Sequence, residues 1–529
     1  MTQRLLFLSV LISCSYCPFA TLRAAGKQEK PNILFIFTDD QSYRTVGCYP
    51  EAWDWVKTPN IDRLASRGIR FANATIGTWC MASRLSLLTG RHSYGVESMR
   101  MVGTYPAATY DPAKCPFWPS IFRKRGYQTA QIGKWHTGID NGFGRDWDYQ
   151  LVWNRPAYPE NAGHYYYDQI IQKNGAGGQL VKGYSTDNYT KWALEYLRGQ
   201  KGRTPGKPWY LWLCYSGVHG PFTPAERHLK TYPNVTVPVP EDIYPPRKGK
   251  PTYSAERNQW MPGPNGAPIM RSGEFAGRTV EGTRGIHGDT LNDLVRQYDQ
   301  GVLAIDEGVG KLIAALKETG QYDNTLIVFA ADQGIAWGQH GFQHKLAPYD
   351  ANIRGPLIIS MPSRFPEGRV CDTPVGGVDL VPTFFSIAGF ALPWTMHGND
   401  LTPLLVKPES ARWDHANLTV LTGATYGSDC RIVPPMDRDE IYRSDGVPWW
   451  LSLRSKQFKY IRTLMPGEPE ELYDLAADPE ELKNLASDPA FRKQLNRHRA
   501  AALAELRRTD CPFVDGMPPV SNQTATRNP

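Results

Sequence analysis

No block of basic residues and no arginine-rich helical stretch occurs in this chain; its 59 Lys and Arg and 52 Asp and Glu are spread along 529 residues, leaving a formal net charge of +7. That scatter excludes the electrostatic footprint of a nucleic-acid binder and leaves only a mild attraction to anions. Long apolar segments are missing as well. The apolar run inside "MTQRLLFLSVLISCSYCPFATLRAAG" is too short to span a bilayer, and no later segment is apolar enough to cross one, so no transmembrane segment is expected. Clustered Cys/His ligands are absent, which argues against zinc. Internal repeats are absent too, so the fold is not an array of small units.

What is present is globular. The chain is 41% apolar and 12% aromatic, and its 48 Gly and 43 Pro imply many turns and long ordered loops rather than a helical bundle. Its length suits one large domain with an appendage, or two to three ordinary ones. Residues 1–25 have the layout of a secretory signal: one Arg, an apolar run, then small residues. "LISC" before Ser15 also fits a bacterial lipoprotein box with Cys14 lipidated, while cleavage near Ala20 or Ala25 is the alternative. Either route exports the protein to the periplasm, the medium or the outer surface. Of nine cysteines, Cys14 and Cys17 fall in this signal, and Cys48, Cys80, Cys115, Cys214, Cys371, Cys430 and Cys511 remain. If six of them pair in an oxidising compartment, Cys80 is the natural one left over.

"PNILFIFTDD" is a continuous apolar run ending in acids, as a buried parallel strand reads. "TPNIDRLASRG" then predicts a helix, with Thr58 as cap, Pro59 in the first turn, a stripe of Ile61, Leu64 and Ala65, and Gly68 as the stop. The alternation continues through "FWPSIFRKRGYQTAQIGKWH", "DNYTKWALEYLRGQ", "KPWYLWLCYSGVHGPF", a long helix over about 291–318 and "NTLIVFAADQG". The expected class is α/β: a large, mostly parallel sheet flanked by helices over residues 30–400. Residues 222–288 are rich in Pro, Gly, Arg and Trp and read as an ordered rim of a substrate cleft. Beyond a shift near 400, residues 401–515 suggest a smaller C-terminal α+β subdomain, and 516–529 a polar tail.

Unusual polar residues collect at the carboxyl ends of the expected strands: Asp39 and Asp40, Lys134 and His136, His219, and Asp332 with Gln333. Ligands bind at that edge of open α/β sheets. Singly, each has a plain explanation as a solvated turn, a loop starter or a packed histidine; four strands ending this way point to one cleft. Asp39, Asp40, Asp332 and the Gln333 amide oxygen are hard donors suited to Ca²⁺, with Mg²⁺ second. Arg84, Lys134 and Lys345 could face an anion lying between them and the metal, which describes a site for a phosphate or sulfate ester. Cys80 itself reads as a buried filler, a thiol nucleophile or a precursor of something else.

"CMASR", residues 80–84, followed by Leu88-Thr89-Gly90, resembles the signature Cys-x-Pro/Ala-Ser-Arg with its downstream Leu-Thr-Gly in the sulfatases, the formylglycine-dependent branch of the alkaline phosphatase superfamily. "TPNIDRLASRGIRF", "GYQTAQIGKWHTG", "VHGPF", "VFAADQG", "GQHGFQHKLAPYDANIRGPLI", "VDLVPTFFSIAG" and "ELYDLAADPEELKNLA" match family blocks in family order, over about residues 31–487. The resemblance implies an alkaline phosphatase-like fold and an arylsulfatase-like sulfuric ester hydrolase. It implies that Cys80 is oxidised to formylglycine (3-oxoalanine) by a maturation enzyme, and that Asp39, Asp40, Asp332, Gln333 and the oxygen at position 80 hold calcium. It further implies that Arg84 and Lys134 hold the nucleophile and sulfate oxygens, that Lys345 binds sulfate, and that His136 and His219 are the site histidines. Ala82 stands where Pro is commoner, and Gln333 where Asn or His is commoner.

On that pattern a hydrated aldehyde attacks sulfur, His219 and Lys345 assist the departing alcohol, and His136 draws the proton that expels sulfate. Competing readings are a phosphoester or phosphonate hydrolase of the same superfamily, a thiol hydrolase using Cys80, and a non-catalytic sulfated-glycan binding protein. The expected ligand is a sulfated small molecule, oligosaccharide or polysaccharide. Trp260, Arg271, Arg278 and Arg284 are candidates for sugar stacking and anion recognition, or else merely fold the insertion. The sequons at Asn73, Asn188, Asn234, Asn417 and Asn522 carry little weight.

Overall fold

β1 (Asn32–Thr38) is buried at every position, as an interior strand covered on both faces must be. In the computed structural model, which describes residues 30–96, 100–101, 108–109, 116–271, 286–422, 443–444 and 446–519, it lies near the middle of an 11-stranded sheet. The other strands are β2 (Ile69–Thr75), β3 (Gln128–Lys134), β4 (Tyr149–Trp153), β5 (Tyr167–Lys173), β6 (Gln179–Tyr184), β7 (Trp209–Cys214), β8 (Thr325–Ala331), β9 (Gly355–Ser360), β10 (Arg369–Cys371) and β11 (Val375–Gly376). Their order is β10-β2-β9-β8-β1-β7-β3-β4-β5-β6, with β11 also on β2. The run β8-β1-β7-β3-β4 is parallel; β9 and β5 run against it, and β6, antiparallel to β5, returns to its direction, making a mixed, mostly parallel sheet.

Helices cover both faces. α1 (Pro59–Ser66) turns the stripe Ile61, Leu64 and Ala65 inward, with Pro59 in its first turn. It packs on one face with α4 (Ser185–Leu197) and the long α5 (Leu291–Glu318), whose Leu294, Tyr298, Val302, Ile305, Val309 and Leu312 are buried. The opposite face holds α2 (Cys80–Thr89), α3 (Pro119–Lys124) and α6 (Leu380–Ala388) around Trp118, Trp212 and Phe384. A smaller antiparallel sheet, β12 (Asn417–Leu421), β13 (Trp450–Arg454), β14 (Phe458–Thr463) and β15 (Glu470–Asp474), follows in the C-terminal part. One of its faces packs on α7 (Arg492–Arg508) and the other on residues 336–353 of the large domain.

Two readings left open by the sequence are decided here. Cys48, Cys80, Cys214, Cys371 and Cys511 are free thiols, so a pattern of three disulfides is not formed; Cys80, Cys214, Cys371 and Cys511 are separately buried. Trp260 is 0% exposed, its indole donating to the Phe342 carbonyl at 3.3 Å, so it fills the core and cannot stack on a sugar. Residues 1–29, with the expected signal, lie outside the described residues, as do Cys115, Arg278, Arg284, Cys430 and Asn522. No described helix is long and apolar enough to cross a membrane.

Candidate active site

Parallel strands deliver the candidate residues to one edge because their carboxyl ends all point the same way. β1 ends in Asp39 and Asp40, β3 in Lys134 followed by His136, and β8 in Asp332 and Gln333, while the loop after β7 carries His219. Cys80 is the first residue of α2, with Arg84 one turn on, and Lys345 sits in the loop between β8 and β9. Asp40 and His136 have φ of 56° and 57°, a left-handed backbone that side-chain-bearing residues adopt at a cost and that packed surroundings must enforce.

The carboxylates interlock. Asp332 Oδ1 accepts the backbone N–H of Asp40 at 2.8 Å and that of Gln333 at 3.0 Å. The Cys80 thiol donates to Asp39 Oδ1 at 3.2 Å, and the Lys134 ammonium, fully buried, meets Asp39 Oδ2. Lys345 Nζ lies 2.8 and 2.9 Å from the two Asp40 oxygens and 3.0 Å from Cys80 Sγ. Arg84, 0% exposed, donates to the Lys134 carbonyl at 2.9 Å and reaches Asp332 Oδ2 at 3.9 Å. His219 Nε2 stands 3.7 Å from Asp40 Oδ2.

Burial and neighbouring charge set the protonation. Burial drives the Asp39 carboxyl up, but Lys134, His219 and Arg84 outweigh it and hold it well below the ordinary range. Burial, with Asp39 and Asp40 adding repulsion, pushes Asp332 well above it. The Cys80 thiol is pushed up to about 12, chiefly by burial and then by Asp39. Burial and Lys345 lower His219 to about 3, and burial and Lys134 take His136 well below its usual value.

Ligand atoms of Asp39, Asp40, Cys80 and Asp332 all lie within 4.8 Å of one another. Asp332 Oδ2 is buried without a hydrogen-bond partner, so a cation would satisfy an oxygen the protein leaves short. Three carboxylates make a donor set for a hard divalent ion. Gln333 turns its amide nitrogen to Asp40 and its Oε1 to the Ser83 hydroxyl at 3.2 Å; to offer oxygen to a cation the amide must turn over. Around this acidic floor stand Lys134, Lys345, Arg84 and the two histidines, an arrangement that can bind a tetrahedral oxyanion.

Nine of the ten predicted residues therefore meet through direct contacts, and His136, two residues beyond Lys134, lies close enough to feel the charges of Lys134, Arg84 and Asp39, while Arg271 is exposed at the edge of the described insertion. Beyond the predicted set several neighbours shape the site: Ser83 belongs to the signature at 80–84, whereas Tyr298 and Tyr165 carry no sequence signal. The Ser83 hydroxyl, with one proton to give, lies 2.9 Å from the Trp79 carbonyl and 3.0 Å from the Asp332 carbonyl, tying α2 to β8. The Tyr298 hydroxyl donates to the Asp40 carbonyl at 2.6 Å and accepts from Ser42 N at 2.7 Å. Tyr165 stacks on His219 with ring centres 4.2 Å apart. Only long-range contact identifies such residues. The insertion, for its part, fastens the loop before Lys345: Asp242 holds His340 Nδ1 at 2.7 Å and Gln259 accepts Gln343 N at 2.8 Å.

A protein-family model described as Sulfatase matches residues 31–390. The chain is 28% identical over 507 residues to an N-acetylglucosamine-6-O-sulfatase of Bacteroides thetaiotaomicron, covering 87% of this chain and 85% of the relative. It is 24% identical to an arylsulfatase of Clostridium perfringens, covering 92% and 96% of the two chains. A solved structure in complex with its substrate D-glucosamine-2-N,6-O-disulfate superposes with a TM-score of 0.74 at 24% identity, over 91% of this chain and 98% of that one. A phosphonate monoester hydrolase of Silicibacter pomeroyi shares the fold at a TM-score of 0.68 and 22% identity, over 91% and 96%.

Proposed function

This chain belongs to the sulfatase family and hydrolyses sulfate esters, and from that premise we propose that its substrate is a sulfated carbohydrate of the glycosaminoglycan type, attacked from formylglycine at position 80. The observation that carries this reading is the convergence of Asp39, Asp40, Cys80 and Asp332 within 4.8 Å beneath Arg84, Lys134 and Lys345. Sugar as the leaving group is supported by the relative named for N-acetylglucosamine 6-O-sulfate.

Asp39, Asp40, Asp332 and, after its amide turns, Gln333 would hold Ca²⁺, with Mg²⁺ as the second choice; the ion would supply positive charge against the sulfate oxygens and acidify the nucleophile. Formylglycine, made from Cys80 by a maturation enzyme, would supply as its hydrate one hydroxyl to attack sulfur and a second whose proton loss releases sulfate.

The chain's own groups do the rest. Arg84 and Lys134, both fully buried, fix residue 80 and the oxygens beside it. His219 Nδ1 donates to the Gly220 carbonyl at 2.7 Å, which leaves Nε2 facing the pocket. A bound sulfate raises the basicity of Nε2, so that His219, with Lys345, delivers a proton to the departing alcohol oxygen. His136, neutral in its buried setting, takes up the proton from residue 80. The thiol alternative is disfavoured because Cys80 is 2% exposed and its thiol is pushed up to about 12, leaving little thiolate near neutrality.

We assign residues 1–25 to an export signal, which places the mature protein in the periplasm, the medium or, lipidated, at the outer surface. We take 30–400 as the catalytic unit and 401–515 as the C-terminal unit. Leu401, Leu404 and Leu405, just past that boundary, still pack into the core of the large sheet.

Mass spectrometry of the peptide carrying residue 80, from a host with the maturation system, is expected to show formylglycine; an unmodified thiol in an active enzyme refutes the proposal. On a panel of sulfated amino sugars, uronates, galactans and phosphoesters, the amino-sugar sulfates are expected to turn over fastest. A preference for phosphoesters would select the competing hydrolase. Chelation is expected to abolish activity, and calcium to restore it and raise the unfolding temperature by mass action.

A further inference from the structure

His219 is held by a neighbour that no motif contains. The Tyr165 ring lies against the imidazole at a centroid distance of 4.2 Å and an interplanar angle of 9°. Tyr165 is itself fixed from several sides. Trp153 meets its ring edge-on at 4.7 Å, Arg155 donates to its hydroxyl, and its carbonyl accepts from Ser216 Oγ at 2.7 Å, Gln169 Nε2 at 2.9 Å and Ser185 Oγ at 3.0 Å. The next residue, Tyr166, donates its hydroxyl to the His219 carbonyl at 2.5 Å. With the Gly220 carbonyl on Nδ1, the imidazole has its plane set by Tyr165 and its rotation set by a hydrogen bond, and Nε2 is left aimed at Asp40.

We infer that Tyr165 is a positioning residue for the proton donor His219, keeping Nε2 directed at the leaving-group oxygen. This rests on the sulfatase reading above. Proton donation at 2.6 to 3.2 Å depends on direction, and a ring free to tilt about its χ2 angle spends little time aligned. The Lys134 ammonium also lies over the Tyr165 ring, 5.3 Å from its centroid, so the same ring adjoins two groups of the site.

The leaving group provides the discriminating readout. A phenol as acidic as 4-nitrophenol departs without a proton, whereas a sugar hydroxyl needs one. Tyr165→Leu is expected to lower kcat about 100-fold on a sulfated monosaccharide, with KM changed by less than about 3-fold, and to lower kcat on 4-nitrophenyl sulfate by less than about 5-fold. Tyr165→Phe, which keeps the stack, is expected to recover most of the loss. In a His219→Ala background, Tyr165→Leu is expected to cost no more than about 2-fold further, because the residue it orients is gone. Equal losses on both substrates, or an undiminished loss in the His219→Ala background, overturn the inference. If Tyr165→Leu unfolds, as judged by circular dichroism, Tyr165→Met, whose flexible side chain fills irregular gaps, takes its place under the same criteria. A wild-type enzyme inert on every sulfate ester overturns the sulfatase reading and the positioning role with it; wild-type activity with unselective losses overturns the positioning role alone.

Discussion

Asp299 on α5 is 2% exposed, and neither of its carboxylate oxygens has a hydrogen-bond partner. Burial pushes its carboxyl well above the ordinary carboxylate range. The folded state therefore keeps a proton that the unfolded chain gives up, and stability falls as pH rises from the ordinary carboxylate range toward the folded value. Asp299→Asn removes that penalty. Relative to wild type, it is expected to gain about 1–3 kcal/mol between about pH 4 and about pH 8, read by urea unfolding at both; an unchanged difference would refute the assignment. At this scale the sequence marked the charged members of the site, because Asp, Lys and His at strand ends stand out against apolar runs. Tyr165 and Tyr298 did not stand out, because tyrosine fills cores everywhere, and only contact across distant segments gives them a task.

The turn between β2 and α2 decides where Cys80 lies. A Cβ added at Gly77 would stand 2.0 Å from Ser83 Oγ and 2.9 Å from Ser83 Cα, so this turn closes onto the helix only because residue 77 has no side chain. Gly77→Ala is expected to displace α2, costing about 1–3 kcal/mol in thermal unfolding and about 100-fold in kcat through misplacement of residue 80. A variant with wild-type turnover would exclude this role for the glycine. β1, β7 and β8 were legible as apolar runs because a strand covered on both faces must be apolar throughout. The antiparallel pairing of β9 between β8 and β2 was not, since register and direction follow from how sheet edges are closed.

The two sheets are joined by a buried ionic cluster. Asp350, five residues beyond Lys345, receives Lys459 from β14 at 2.8 Å and Arg454 from β13, while Glu481 accepts the Asp350 N–H at 2.6 Å and pairs with Lys459 at 2.9 Å. Burial raises the Asp350 carboxyl, but Arg454 and Lys459 outweigh it and hold it well below the ordinary range. Asp350→Ala leaves Arg454 buried without a carboxylate and Lys459 with Glu481 alone, and is expected to cost about 3–5 kcal/mol in denaturant unfolding. Because the same segment carries Lys345, turnover is expected to fall in parallel. A loss under about 1 kcal/mol would show that the cluster does not couple the sheets.

By itself the sequence determined the class of fold, the edge where chemistry collects and the charged residues gathered there, because alternating strands and helices force parallel strands to end together. Tertiary structure alone decided that Trp260 is core rather than sugar platform, that the described cysteines are free thiols, and that Tyr165 lies on His219. Those outcomes depend on which distant segments share a neighbourhood, and a side chain's type does not encode its neighbours.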